Sequence, residues 1–555
     1  MYDTEIDTAL QQAAIVLRRS VESGIFHPDP APPRPYMRAA LRLLVDRITG
    51  YQYGPYYGSS LLPLLLSSNF LTQAAVDLFG PCMCAHLLAT VDGDTSVLAN
   101  LRAYRASRTA WSLGRGVVGL VKTLTVSRAE RVWRLIDQVV QAHVTFGADL
   151  LSRLARDADL LRQGFGITGT LSALKVTGSD PHRGGHRVVL LRYSDGRGVV
   201  YKPSDLTFQL MLMGDRRSYE LSRTHHPALA PYTESLFAAL DPELPAIRII
   251  AFPHSRGEYG YMQRIEKLSV IPDDAQGTYY RKLGRLIAVA ALFGLTDLHE
   301  ENVMATADGP FLIDAEMSFC YHSDPATNLL THSALHRVVH ITPEDSSNLG
   351  GVFTARYEDD AWEICKLSAP YDRDEINAGF KATNEGGAWV SGRTYPNVLL
   401  HGIREEVDRI ALRLGNVHRW IAQAYAVKPA ARLLLSTTVM CGFHVEGVRS
   451  LLEGTLPTDA QALTLSFNDW LTWYGGKHNA VPAALVQPHD RQSLLDPTRV
   501  RGVSYATASA GGASAANLVE VWNAMNRLST PTGVAQFKAR VKTSLEQTLK
   551  CGPLA

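Results

Sequence analysis

The stretch Leu295–Phe319, LTDLHEENVMATADGPFLIDAEMSF, spaces its oxygen-bearing side chains in a way that suits phosphoryl transfer. Asn302 follows Asp297 by five residues, and Asp314 follows Asn302 by twelve, at the end of the apolar run Phe311–Ile313. Protein kinases use this order: a catalytic Asp, an Asn that binds Mg²⁺ five residues on, then a strand ending in a metal-binding Asp. The chemistry asks for these groups. A hydroxyl nucleophile needs a base at its proton, and hard oxygen ligands must hold Mg²⁺ against nucleotide phosphates, because Mg²⁺ takes few protein ligands. A lysine on an earlier strand is also required, and VVYKP supplies Lys202. The kinase Gly-rich loop and an Asp-Phe-Gly are both missing, so the pattern is not that of an ordinary protein kinase. Glu316 stands where that glycine would be and offers another carboxylate.

Taken singly, each residue has a plainer explanation. Lys202 reads as a solvated strand residue, Asp314 as a helix cap, and His299 as a structural histidine. A zinc-protease reading of His299-Glu300 fails because no second His follows four residues on. It is the coincidence of Lys202, Asp297, Asn302 and Asp314 that makes a purely structural reading of the whole set improbable.

These residues need elements to position them. HRVVLLRYSDGRGVVYKP (186–203) reads as two β-branched runs around Ser-Asp-Gly-Arg-Gly, a hairpin with Lys202 on its second strand. Pro203-Ser204 ends that strand, with Ser204 a candidate cap for a helix over DLTFQLMLMGDRRSYELSR. RIIAFPHSRGEYGYMQRIE (248–266) reads as a second strand pair, and YYRKLGRLIAVAALFGL (279–295) as an apolar helix leading into the opening stretch. Upstream, residues 37–48 and 129–161 repeat apolar positions three and four apart, as helices do. Residues 320–400 show little periodicity and read as long loops. Helical patterns return over 397–426, and SYATASAGGASAAN (504–517) reads as a small-residue connection before another helix.

The 555-residue chain is 46% apolar and 20% charged, an ordinary globular balance. A net charge of +1 gives no field that points to nucleic acid or an anionic membrane. The acidic N-terminus MYDTEIDTAL does not read as a secretory signal. Residues 48–76 lack charge but are interrupted by Asn, Gln, Ser, Pro and Gly, so they read as buried rather than membrane-spanning. Six irregularly spaced cysteines suit a reducing cytoplasm.

Together, YYRKLGRL, GLTDLHEENV with FLIDAE, VVYKP, GSDPHRGGHRV, EYGYMQRI and a late RLLLSTT resemble the dehydratase domain of LanM-type (class II) lanthipeptide synthetases, in that family's order over Gly178–Thr438. The resemblance implies an α+β fold with a lipid-kinase-like bilobal core and helical additions at both ends. It implies a helical region over 1–165, the kinase-like core with the nucleotide site over 166–330, and activation-type loops with a helical part completing an elimination site over 331–555. It implies phosphorylation of Ser and Thr in a ribosomal precursor peptide with MgATP, then phosphate elimination to dehydroalanine or dehydrobutyrine.

Carried over by position, Asp297 is the base, Lys202 the phosphate contact, Asn302 and Asp314 the Mg²⁺ ligands, with His299 and Glu316 assisting. Asp180, His182, Arg432 and Thr438 form the elimination set. The residue types suit these roles, since His182 oriented by Asp180 can move a proton and the Arg432 fork can hold a departing phosphate. Without the family, Gly-Ser-Asp-Pro would read as a turn.

Two departures stand out. A second Arg usual four positions after the one matched by Arg432 is Ser436 here. The family's C-terminal zinc cyclase is not expected either: the chain ends about where a dehydratase would, its last segment carrying Cys551 without a Cys-His pair suited to zinc. Cyclisation, if it occurs, would then fall to another protein, or the product would stay unsaturated. A peptide kinase that stops before elimination and a non-catalytic precursor-binding scaffold remain as alternatives. Cys82, Cys84 and His86, and the aromatic cluster Phe467, Trp470, Trp473 and Tyr474, read as packing rather than as a metal site or a peptide surface.

Overall fold

The computed structural model describes residues 2–22, 34–50, 61–79, 126–177, 185–253, 258–268, 271–295, 298, 302–315, 353–358, 361–366, 394–427, 430–432, 505–507, 525–549 and 552–554. The mixture is α+β. Helices α1 (Asp3–Glu22), α2 (Arg34–Gly50), α3 (Leu61–Leu66), α4 (Phe70–Phe79), α5 (Val126–Arg156) and α6 (Ala158–Phe165) come first. The uncharged run over 48–76 lies partly in α3 and α4, where Leu65, Leu66, Phe70, Leu71, Ala74 and Ala75 are buried. No described helix is long and apolar enough to cross a membrane.

A five-stranded antiparallel sheet follows, built from β1 (Leu171–Val176), β2 (Val189–Tyr193) and β3 (Gly198–Lys202) and later from β4 (Ile249–Ala251) and β5 (Gly260–Gln263), in the order β1-β2-β3-β5-β4. The β2–β3 turn forms because Gly196 adopts φ 85° and the Asp195 carboxylate accepts from the backbone N–H of Thr168, Gly169 and Arg197. Led by the Thr168 N–H, these donors pull the Asp195 pKa down to about 2. At the far end, the Asn69 side chain exchanges hydrogen bonds of 2.7 and 2.8 Å with the backbone of Val176. Its amide takes the place of a neighbouring strand at edge strand β1.

The period-2 alternation of strands decides where the chemistry faces. In β3, Val199 and Tyr201 point to a core shared with α1–α6, whereas Val200 packs on a second core. Lys202, two residues from Val200, shares its face. The first core is finished by Tyr259 and Tyr261, which donate to buried Asp157 at the α5–α6 break at 2.7 and 3.1 Å.

The second core is built on the other face by α7 (Thr207–Met213), α8 (Arg216–Ser222), α9 (Leu236–Leu240) and α10 (Gln276–Phe293), the hairpin β6 (Val303–Thr306)–β7 (Gly309–Leu312), and helices from the C-terminal part. The single helix expected after Lys202 is two. Gly214 is extended, and a Cβ there would lie 2.6 Å from the Leu210 carbonyl oxygen. Asp215 then caps α8 by accepting from the Ser218 N–H. Asp205, rather than Ser204, serves α7 by accepting from Thr207 N–H at 2.8 Å.

Within the region expected to be loops, β8 (Phe353–Glu358) and β9 (Ala361–Lys366) form a two-stranded hairpin. Beyond it lie α11 (Pro396–Leu412), α12 (Leu414–Val427), β10 (Ala430–Arg432), β11 (Tyr505–Thr507) and α13 (Pro531–Leu549). Residues 505–507, expected in a flexible connection, pair with β10. Helices α10 and α11 cross closely because Gly284 and Gly402 carry no Cβ; one at either position would overlap the Leu399 or Arg281 carbonyl oxygen.

Candidate active site

Lys202 ends β3 on the face of the second core, with 7% of its surface exposed. Burying an ammonium is costly unless it is paired. Its Nζ donates to the Ile313 carbonyl and to Asp314 Oδ2, both at 2.9 Å. Those acceptors come from the residues after β7. The hairpin explains their position: the Ile313 N–H donates to the Asn302 carbonyl at 2.8 Å, tying the residue before β6 to the residue after β7. Asn302 and Asp314, twelve apart in sequence, thus stand at one end of a single hairpin, with Lys202 reaching across from the large sheet.

The helix leading into this site ends by design. Gly294 takes the left-handed conformation at φ 59°, and the N–H groups of Gly294 and Leu295 both return to the Ala290 carbonyl. Leu295 and Leu298 are then buried in the second core. Asp297, His299 and Glu316 themselves lie outside the described residues, as do Asp180, His182 and Thr438. Arg432 is the last residue of β10, whose backbone runs beside α7. Cys82, Cys84, His86, Ser436, the aromatic cluster over 467–474 and Cys551 are also outside them. Among the described residues no group of three or more His, Cys, Asp or Glu could hold a metal by itself.

Gln209 is the residue that motif reading passed over. It sits in α7, TFQLMLM, every residue of which is buried. Its Nε2 approaches Asp314 Oδ1 at 3.4 Å, and its Oε1 is buried without a hydrogen-bond partner. The signal was available: one amide inside an otherwise apolar helix, seven residues after Lys202. Helix α7 is itself fixed by the Trp420 indole N–H, which donates to the Met211 carbonyl at 2.8 Å.

The arrangement combines one buried ammonium, a carboxylate, a side-chain amide beside the hairpin and an unused acceptor. Carboxylate and amide oxygens are the hard donors that Mg²⁺ prefers, and it completes its shell with water and phosphate oxygens. A buried acceptor without a partner also suits a hydrated ion better than an apolar ligand. The described residues therefore fit a magnesium–nucleotide group.

A second cluster of charges lies in the same core, between α9, α10 and α11. Arg285, 1% exposed, donates to Asp241 at 3.1 Å, to Glu405 at 3.2 Å, and to Glu243. Arg409 also pairs with Asp241, and Arg281 grips Glu405 with two bonds of 2.8 and 2.6 Å. The Arg281 bonds, joined by Arg285, hold the Glu405 pKa down at about 2. Burial and neighbouring Asp241 push that of Glu406 up to about 8.

Comparison with known proteins places this site in context. Residues 131–346 match a family model described as a domain of unknown function, DUF4135. That region includes Lys202, Asn302 and Asp314 but not Arg432 or Thr438. The chain is 23% identical over 182 residues to the lacticin 481/lactococcin biosynthesis protein LcnDR2 of Lactococcus lactis subsp. lactis. The alignment covers 32% of this chain and 18% of the relative, so the chain spans less than a fifth of that protein's length by this match.

Proposed function

We propose that the chain is a LanM-like dehydratase that phosphorylates Ser and Thr of a ribosomally made precursor peptide with MgATP and then eliminates the phosphate. The observation that carries the reading is the Lys202–Asp314 pair of 2.9 Å across from Asn302. It joins three of the four residues whose spacing suggested phosphoryl transfer. We place them in a lipid-kinase-like core.

In this reading Lys202 gives its ammonium to nucleotide phosphates, and Asp314 and Asn302 hold Mg²⁺. When bound, the metal supplies charge neutralisation for the transferring phosphoryl group. Asp297 accepts the proton of the peptide hydroxyl, Glu316 adds carboxylate charge and His299 assists. For the second step, His182 oriented by Asp180 moves the Cα proton, while Arg432 and Thr438 hold the leaving phosphate. The Cα–H and C–O bonds break, an alkene forms, and inorganic phosphate leaves. The partner in this reading is the precursor with its leader.

Incubation with the precursor and MgATP, followed by peptide mass spectrometry, tests the proposal. Loss of water from the peptide is expected. A gain of phosphate without loss of water would mark the enzyme as a kinase alone, the reading favoured by Ser436. An unchanged mass with the leader bound would leave a scaffold.

A further inference from the structure

The unpartnered acceptor of Gln209 has no structural purpose within α7. The other six residues of that helix satisfy the core with apolar or small side chains, and Gln209 itself is 2% exposed. A buried acceptor without a partner costs on the order of 1–3 kcal/mol, whereas methionine would fill a similar volume at no such cost. The amide's direction is fixed: a carboxylate only accepts, so Nε2 faces Asp314 Oδ1 and Oε1 is the open end. On its other side, Asp314 is held by Lys202.

Resting on the MgATP reading of this site, we propose that Gln209 is a positioning residue for the cation. Its Oε1 accepts a hydrogen bond from a water in the hydration shell of the Mg²⁺ held at Asp314. The chemistry is specific to that ligand. Mg²⁺ releases its waters reluctantly and keeps several of them, and each is a strong donor that needs an acceptor once the site closes around it. Groups that orient ligands from behind in this way are commonly worth 10–100-fold in metal affinity.

The test is ATP binding by calorimetry, with and without Mg²⁺, in the full chain. In the wild type, Mg²⁺ strengthens ATP binding. In Gln209→Met that gain is expected to shrink about tenfold, with Mg²⁺-free ATP binding unchanged and the thermal midpoint equal or higher, because an unpaired buried acceptor has gone. Gln209→Glu, which keeps an oxygen in place, is expected to restore the gain. Full Mg²⁺ coupling in Gln209→Met, or equal loss in both variants with a lowered midpoint, would overturn the proposal. No Mg²⁺ effect in the wild type would instead overturn the MgATP reading beneath it.

Discussion

Two clusters of opposite charge share the second core, and they are built differently. Around Arg285, three carboxylates and two further arginines close on one another between α9, α10 and α11, beside the crossing where Gly284 and Gly402 let the helices touch. Around Lys202, a single ammonium meets one carboxylate whose side chain is 23% exposed, and a neighbouring amide keeps an unused oxygen. The first cluster uses its charges to fix helix positions. The second leaves capacity over at a place where the sheet, a hairpin and α7 converge. Burial, charge and a buried atom without a hydrogen-bond partner occur in both, since Arg285 Nε also lacks one. The difference lies in composition, arginines matched by carboxylates in the first and a lone ammonium between a carboxylate and a backbone carbonyl in the second.

The sharpest way to break this contrast is to mutate each cluster and read both stability and chemistry. Asp297→Asn is expected to slow peptide phosphorylation by about 10²–10⁴-fold, the usual worth of a general base, with the thermal midpoint unchanged; phosphate transfer to the precursor reports it. Arg285→Met should do the reverse. It leaves Asp241 buried beside Glu406 with one cation fewer, at a cost of about 3–5 kcal/mol, read by urea unfolding. If Arg285→Met abolished phosphorylation at full stability, the division would be wrong.

A third, smaller effect concerns the second step. His182→Ala should slow elimination by about 10²-fold while phosphorylation continues, so phosphopeptide accumulates in the mass spectrum; Arg432→Ala should do the same. Loss of phosphorylation in both would merge the two steps that are here kept apart.

The smallest effect is a matter of pH. Unfolded, Glu406 titrates near 4.5; folded, it keeps its proton to about 8. Between those values unfolding releases a proton, so the stability this carboxyl contributes declines as pH rises from about 4.5 to about 8. Glu406→Gln should raise the free energy of unfolding at about pH 8 by on the order of 1 kcal/mol, with the advantage fading toward about pH 5. A mutant curve parallel to the wild type's across that range would show that Glu406 does not titrate there.

The sequence made some of this visible. The Ser-Asp-Gly-Arg-Gly turn announced the β2–β3 hairpin, because only a residue such as Gly196 takes φ 85° without strain. Alternation placed Lys202 on a chosen face. The five-then-twelve spacing pointed to Asn302 and Asp314, which the β6–β7 hairpin sets at one end through the Ile313 N–H to Asn302 carbonyl bond. Other features depend on tertiary contacts that a local pattern does not carry. The break at Gly214 arises from the Leu210 carbonyl, and the break at Asp157 is held by tyrosines about a hundred residues away. Residues 505–507 looked like a connection of small residues, since their partner strand lies more than seventy positions upstream. Gln209 escaped notice for the opposite reason: no motif names it, and only its place beside Asp314 gives the amide a meaning.

The central claim is that Asp314, held by Lys202, carries the metal for phosphoryl transfer. The direct measurement is transfer of labelled γ-phosphate from ATP to the precursor by the wild type and by Asp314→Asn, each confirmed folded by its circular dichroism. The expected result is label on the peptide with the wild type and none with Asp314→Asn at any Mg²⁺ concentration. Equal labelling by the two proteins would contradict it.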